Sequence, residues 1–106
     1  MPDDKYFGPD PTVFKAVTAA NQFTDALTIR EKGHIIIENT SSMSMTVVLQ
    51  VRPNKSADWV DTGDEYTSEG LWVIPYGGGH EYRGGVKTGG YTSGTCKVTL
   101  SGRNKI

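Results

Sequence analysis

Two histidines, one cysteine, a group of acidic residues and several glycine clusters are the groups in this chain that could do chemistry. His34 opens an apolar stretch and His80 follows Gly77, Gly78 and Gly79. Neither has a second histidine four residues away or a cysteine beside it, so the spacing of a zinc site is missing. One solvent-facing and one loop histidine are expected. Cys96 shares a side of its segment with Val98 and Leu100, and Lys97 falls on the other side. A thiol among apolar neighbours with no base beside it acts as a small hydrophobe and not as a nucleophile. The three glycines at 77–79 are not followed by Gly-Lys-Ser/Thr, and no G-x-G-x-x-G occurs, so phosphate cradling has no motif behind it. Their expected work is conformational, in turns that need positive φ.

Asp58, Asp61, Asp64, Glu65 and Glu69 crowd the middle of the chain. Oxygen ligands could build a calcium site there. The order D-x-D-x-D-G is missing and Lys55 offsets part of the charge, so a solvated acidic face is expected. With no nucleophile beside a base and no ligand set, the reading is non-enzymatic: no catalytic residue, no cofactor and no metal. The aromatics are the other conspicuous group: Trp59, Trp72, Tyr66, Tyr76, Tyr82 and Tyr91. Lined up on one exposed face they could stack on sugar rings. Large rings dominate burial in thin domains, so both tryptophans are expected in the core. Tyr76, His80 and Tyr91 fall in or beside glycine-rich loops and are candidate partner contacts.

The elements that must position these residues read as strands. At the end of the chain Cys96, Val98 and Leu100 alternate with Thr95, Lys97, Thr99 and Ser101, the period of a half-buried strand. A glycine-rich turn before it suggests a closing hairpin with the segment from Tyr82. Met45–Arg52 is the clearest central strand, with Val47, Leu49 and Val51 on one side, Thr46, Gln50 and Arg52 on the other, and Val48 an exception. Pro53 stops it. Shorter strands are expected at 26–29, 34–38, 59–62 and 71–74. Arg30–Gly33 reads as a hairpin loop, 39–44 as a polar turn and 63–70 as an acidic turn. The alanines of Phe14–Phe23 permit a short helix, whereas Val13, Val17 and Thr18 lean towards strand, which is the reading adopted. The three successive isoleucines at 35–37 imply burial on both faces, or on one face plus a partner.

These add up to an all-β domain, a two-sheet antiparallel β-sandwich or jelly roll of about eight short strands. The expected division is an extended N-terminal arm, 1–13, and a β-sandwich domain, 14–106. Pro2, Gly8, Pro9 and Pro11 exclude regular helix and interior strand from the arm. It is either a frayed terminus or, since it carries Tyr6 and Phe7 and leads into Phe14, a segment that docks on a neighbouring subunit.

At 106 residues the chain is one domain by size, with room for one core but not for a core plus a deep site. Its 36% apolar content suits a thin sandwich, and its 13 glycines suit many turns. A formal net charge of −1 with mixed signs leaves no basic stripe, so nucleic acid is not an expected partner. One cysteine excludes an internal disulfide and permits folding in a reducing cytoplasm. No apolar run reaches the roughly 20 residues of a membrane helix, so no membrane partner is expected. Met1–Lys5 lacks the basic-then-apolar order of a signal peptide, and the sequon Asn39-Thr40-Ser41 is read as chance.

The Pro-rich aromatic arm, strands such as Thr46–Gln50 and Trp59-Val60 alternating with Gly/Ser/Thr-rich loops, and the closing Tyr82–Thr95 segment together resemble the small virion structural proteins of tailed bacteriophages. In build the chain is similar to capsid decoration (cement) proteins. The resemblance covers the whole chain in architecture and no stretch of it by a diagnostic motif. It implies a homo-oligomer made in the host cytoplasm and bound to the major capsid protein on the capsid surface, with Tyr6, Phe7, Phe14, Tyr76, His80 and Tyr91 as contacts. A carbohydrate-binding or adhesive β-sandwich, or a head–tail or tail-associated protein, is the alternative.

Overall fold

The computed structural model describes residues 11–102. Among these residues nine strands follow one another: β1 (Thr12–Val17), β2 (Gln22–Phe23), β3 (Leu27–Ile29), β4 (Gly33–Met45), β5 (Val47–Arg52), β6 (Val60–Tyr66), β7 (Gly70–Ile74), β8 (His80–Val86) and β9 (Tyr91–Gly102). They form two antiparallel sheets packed as a β-sandwich. The first has the order β1-β9-β4-β7; the second has the order β2-β8-β5-β6, with β3 also paired to β8. Phe14–Phe23 holds no helix: the β-branched residues prevail, and β1 of the first sheet is followed, after residues 18–21, by the short β2 of the second. Thr12 and Val13, the last residues of the expected arm, already pair with Ser101 and Leu100 of β9. Tyr6 and Phe7 lie outside the described residues.

Alternation along the strands builds the core. Cys96, Val98 and Leu100 of β9, Ile35 and Ile37 of β4, and Val47 and Leu49 of β5 meet Val17, Ile29, Tyr82 and Val86 in one buried cluster. Each large aliphatic side chain taken out of water there contributes about 1.5–3 kcal/mol before the entropy of ordering is subtracted. β9 is central in the first sheet, so its apolar side faces the second sheet and its Thr/Lys/Ser side faces outwards.

Three local expectations fail, two of them because the chain changes sheet where a hairpin looked natural. Arg30–Gly33 joins β3, paired to β8, with β4 of the other sheet. Tyr82–Leu100 is likewise no hairpin: β8 pairs with β5 and β9 pairs with β4, so 87–90 crosses between sheets. Loop length and glycine content are the same for a hairpin turn and a crossing turn. Third, Asn39–Ser44 is no turn. β4 continues through it, bulged against β9, with Ser42 at positive φ (41°). Side chains stabilise the bulges: Asn39 Oδ1 accepts from the Met43 N–H at 3.0 Å, and the Thr40 and Thr95 hydroxyls lie 2.7 Å apart. The change of sheet comes one step later, at Thr46, whose N–H donates to the Gly90 carbonyl at 2.8 Å. The acidic segment after residue 62 is also mostly strand. β6 runs to Tyr66 through Gly63 at φ 99°, and its exposed carboxylates mark a sheet edge, where charge discourages pairing with another chain.

Candidate functional site

Each sheet turns an outer face to solvent, and the two differ sharply in chemistry. On the first sheet the registers place Phe14 opposite Thr99, Thr99 opposite Ile36, and Ile36 opposite Leu71. The neighbouring row is Thr12, Ser101, His34 and Val73. Ile36 is half-buried, whereas Phe14, Leu71 and Val73 are 63%, 57% and 54% exposed. The result is a row that is apolar on β1, β4 and β7 and interrupted by Thr99 on β9, with hydroxyl side chains beside it. The Lys97 ammonium lies over the Phe14 ring at 4.7 Å and 4.0 Å from Glu38.

The second sheet carries a polar network instead. Its outward positions on β5, β6 and β8 hold Gln50, Arg52, Asp61, Glu65, Glu81 and Arg83. Arg83 Nε donates to Gln50 Oε1 at 2.8 Å, Gln50 Nε2 donates to Asp61 Oδ1 at 2.8 Å, and Lys87 Nζ closes the chain on Asp61 Oδ2. Arg52 Nε donates to Glu81 at 2.8 Å. Trp59 lies among these groups, with the Arg52 and Arg83 guanidiniums 4.2 and 4.6 Å from its ring centre. Arg83 also lies 4.1 Å from the centre of the Phe23 ring. Rings this close attract guanidinium through the negative face of the π system.

The charges respond to these contacts. The hydrogen bond from Lys87, then that from Gln50, holds the Asp61 carboxyl below its usual range, and the same ion pair pushes Lys87 up. Burial, and then the charge of Arg52, lowers the pKa of Arg83. A cleft of about 230 Å³ lies at the end of this network, lined by Thr46, Val48, Glu65, Lys87 and the Thr88–Gly90 turn. Val48, the apolar exception in β5, lines this cleft; it is 2% exposed yet stands outside the core cluster.

Trp59 is therefore not a core ring, contrary to expectation. It follows the Asn54–Asp58 loop on the outward side, where two guanidiniums hold it. Trp72 packs against the core, its ring 4.6 Å from that of Tyr66. Burial, and then the Asp64 charge, pushes the Tyr66 hydroxyl up to about 12. Cys96 is buried, its thiol raised by desolvation, with Sγ 3.5 Å from Met45 Sδ.

The sequence-expected contacts do not converge. Phe14 stands in the apolar row of the first sheet. Tyr76, 74% exposed, and His80 sit on the β7–β8 turn, which hydrogen-bonds to Ile29 and Glu31. Tyr91 is at the far end of β9, packed against the core with its hydroxyl on the Gly94 carbonyl at 2.9 Å. The acidic residues also separate: Asp61 pairs with Lys87, and Glu69 accepts from the Asn39 N–H at 3.3 Å. Among the described residues no three of His, Cys, Asp and Glu come together as a metal site.

The reading of 35–37 as one face plus a partner already touched Ile36, whereas Leu71 and Val73 were not among the expected contacts. Their signal was the unbroken apolar runs at 35–37 and 71–74, which a strand with one wet face does not require. Arg52, Arg83 and Phe23 carried no signal, because only the pairing of β5 with β8 brings them together. No family model matches the chain, and comparisons with curated proteins and with solved structures return no match.

Proposed function

We propose that the protein is a non-enzymatic structural component of a tailed-phage virion, a capsid decoration protein that binds the major capsid lattice. The observation that supports it best is the set of exposed apolar side chains Phe14, Leu71 and Val73, with half-buried Ile36 and Thr99 between them, on one sheet face. Large apolar side chains exposed together on one sheet face of a domain this small, set among hydroxyl groups, suit a surface that another protein covers. A sheet face suits the task, because its backbone is already ordered and association costs little further entropy. Copies gathered as a symmetric oligomer engage many lattice sites at once, so that modest interfaces add up to stable attachment.

The adhesive, sugar-binding alternative draws less support. A sugar platform needs a bare aromatic face, and Trp59 already carries two guanidiniums.

Cosedimentation with capsids of the phage that encodes the chain tests the proposal. Wild-type protein is expected to bind saturably, in a fixed ratio to capsid subunits. A Phe14→Glu/Leu71→Glu variant is expected to fold normally, since both side chains are exposed, and to lose binding by tenfold or more. No binding by the wild type, or undiminished binding by the folded variant, overturns it.

A further inference from the structure

We propose that the outer face of the second sheet is a carboxylate-binding site, in which Arg83, laid against Phe23 and Trp59, receives an aspartate or glutamate side chain of a protein partner. The cations of this face are unequally matched. Arg52 has Glu81 and Lys87 has Asp61, each as an ion pair. Among the described residues the one hydrogen-bond acceptor of Arg83 is the neutral amide oxygen of Gln50. Among the described residues no carboxylate lies within ion-pair distance of Arg83, and none hydrogen-bonds to its terminal amino groups. Burial and the like charge of Arg52 make the unmatched guanidinium costly, so an arriving anion relieves both.

The geometry selects the anion. Two ring contacts and the Nε bond hold the Arg83 plane, which leaves the edge with the two terminal nitrogens for a ligand. That edge matches the two oxygens of a carboxylate or phosphate as a bidentate pair, with little rotamer freedom left to lose. A single unmatched positive charge suits one monoanion, which favours carboxylate over a phosphate dianion. The open face favours a partner of protein size. Small ligands bind where most of their surface is enclosed, and the cleft on this face lies beyond Asp61, at Lys87. An interface centre built of tryptophan and arginine is also the composition that carries binding energy between proteins. This site stands on the opposite sheet from the apolar row and does not depend on the capsid assignment.

The test is an NMR titration of ¹⁵N-labelled protein at constant ionic strength. The probes are the peptide acetyl-Gly-Glu-Gly-amide, its Gln counterpart, and N-acetylneuraminic acid as a carboxylate from a glycan. The Glu peptide is expected to shift the Arg83 Nε–H and Trp59 indole N–H signals saturably, with half-saturation in the millimolar range, while the Gln peptide leaves them in place. Arg83→Gln is expected to abolish the response of the Trp59 signal. Arg83→Lys keeps the charge without the two-pronged edge, and is expected to weaken that response several-fold with the spectrum of β9 unchanged. Overturning results are the absence of saturable shifts, an equal response to the Gln peptide, an undiminished Trp59 response in folded Arg83→Lys, or tighter saturation by N-acetylneuraminic acid, which would make the partner a glycan.

Discussion

Tyr66 and Trp59 show how far one residue's neighbours decide its role. Both are aromatic and flank the same acidic strand, yet one ring closes the sandwich and the other lies outside it among cations. For Tyr66 the consequence is a pH dependence. Its folded pKa is raised from 10.0 to about 12, chiefly because burial penalises the phenolate. A raised folded pKa favours the protonated form, so the associated stability is fully present below pH 10 and is lost as pH rises through about 12. Urea denaturation from pH 9 upwards, on the order of one measurement per half unit, is expected to show the wild type weakening across that window. Tyr66→Phe should have the shallower profile. Parallel profiles would mean that the phenol is solvated in the folded state.

At the level of elements, the arginine plate depends on how closely β2 approaches β8. Gly85 pairs with Phe23 on one side and Val48 on the other. A Cβ at Gly85 would lie 2.6 Å from Phe23 Cα and 2.7 Å from Phe23 Cδ1. Glycine is therefore required there by space, since its φ is not positive. Gly85→Ala is expected to push β2 outwards, to cost about 1–3 kcal/mol as overpacking does, and to separate Phe23 from Arg83. The urea midpoint reads the first effect and the Arg83 Nε–H shift the second. A variant with wild-type stability and shift would show that β2 yields freely. Elements were also where the sequence was most readable and most deceptive. Val47, Leu49 and Val51, and Cys96, Val98 and Leu100, declare their strands by alternation, because one wet face and one dry face impose a period of two. Asn39–Ser44 looks like a turn because polar residues serve both turns and exposed strand ends, and only its pairing with β9 separates the two.

Across the whole molecule the pairings are mostly remote in sequence. β9 joins β1 and β4, with Thr12 opposite Ser101 and Gly33 opposite Gly102. Closing such long loops must precede the contacts that reward it, so refolding is expected on the millisecond-to-second scale typical of β-sandwiches. Stopped-flow fluorescence from Trp59 and Trp72 would follow it, and complete recovery within microseconds would contradict this topology. The same remoteness divides what could be read from the chain from what could not. Composition and alternation determined an all-β sandwich and a buried Cys96, because these follow from residue type and near spacing. Which sheet each strand joins was decided only in three dimensions, since a turn such as 87–90 serves a hairpin and a crossing equally well. With the sheets come both faces: Phe14 aligns with Leu71 only through β9 and β4, and Arg83 meets Trp59 only across β5. A surface that binds is a relation between strands, and no strand's own sequence contains it.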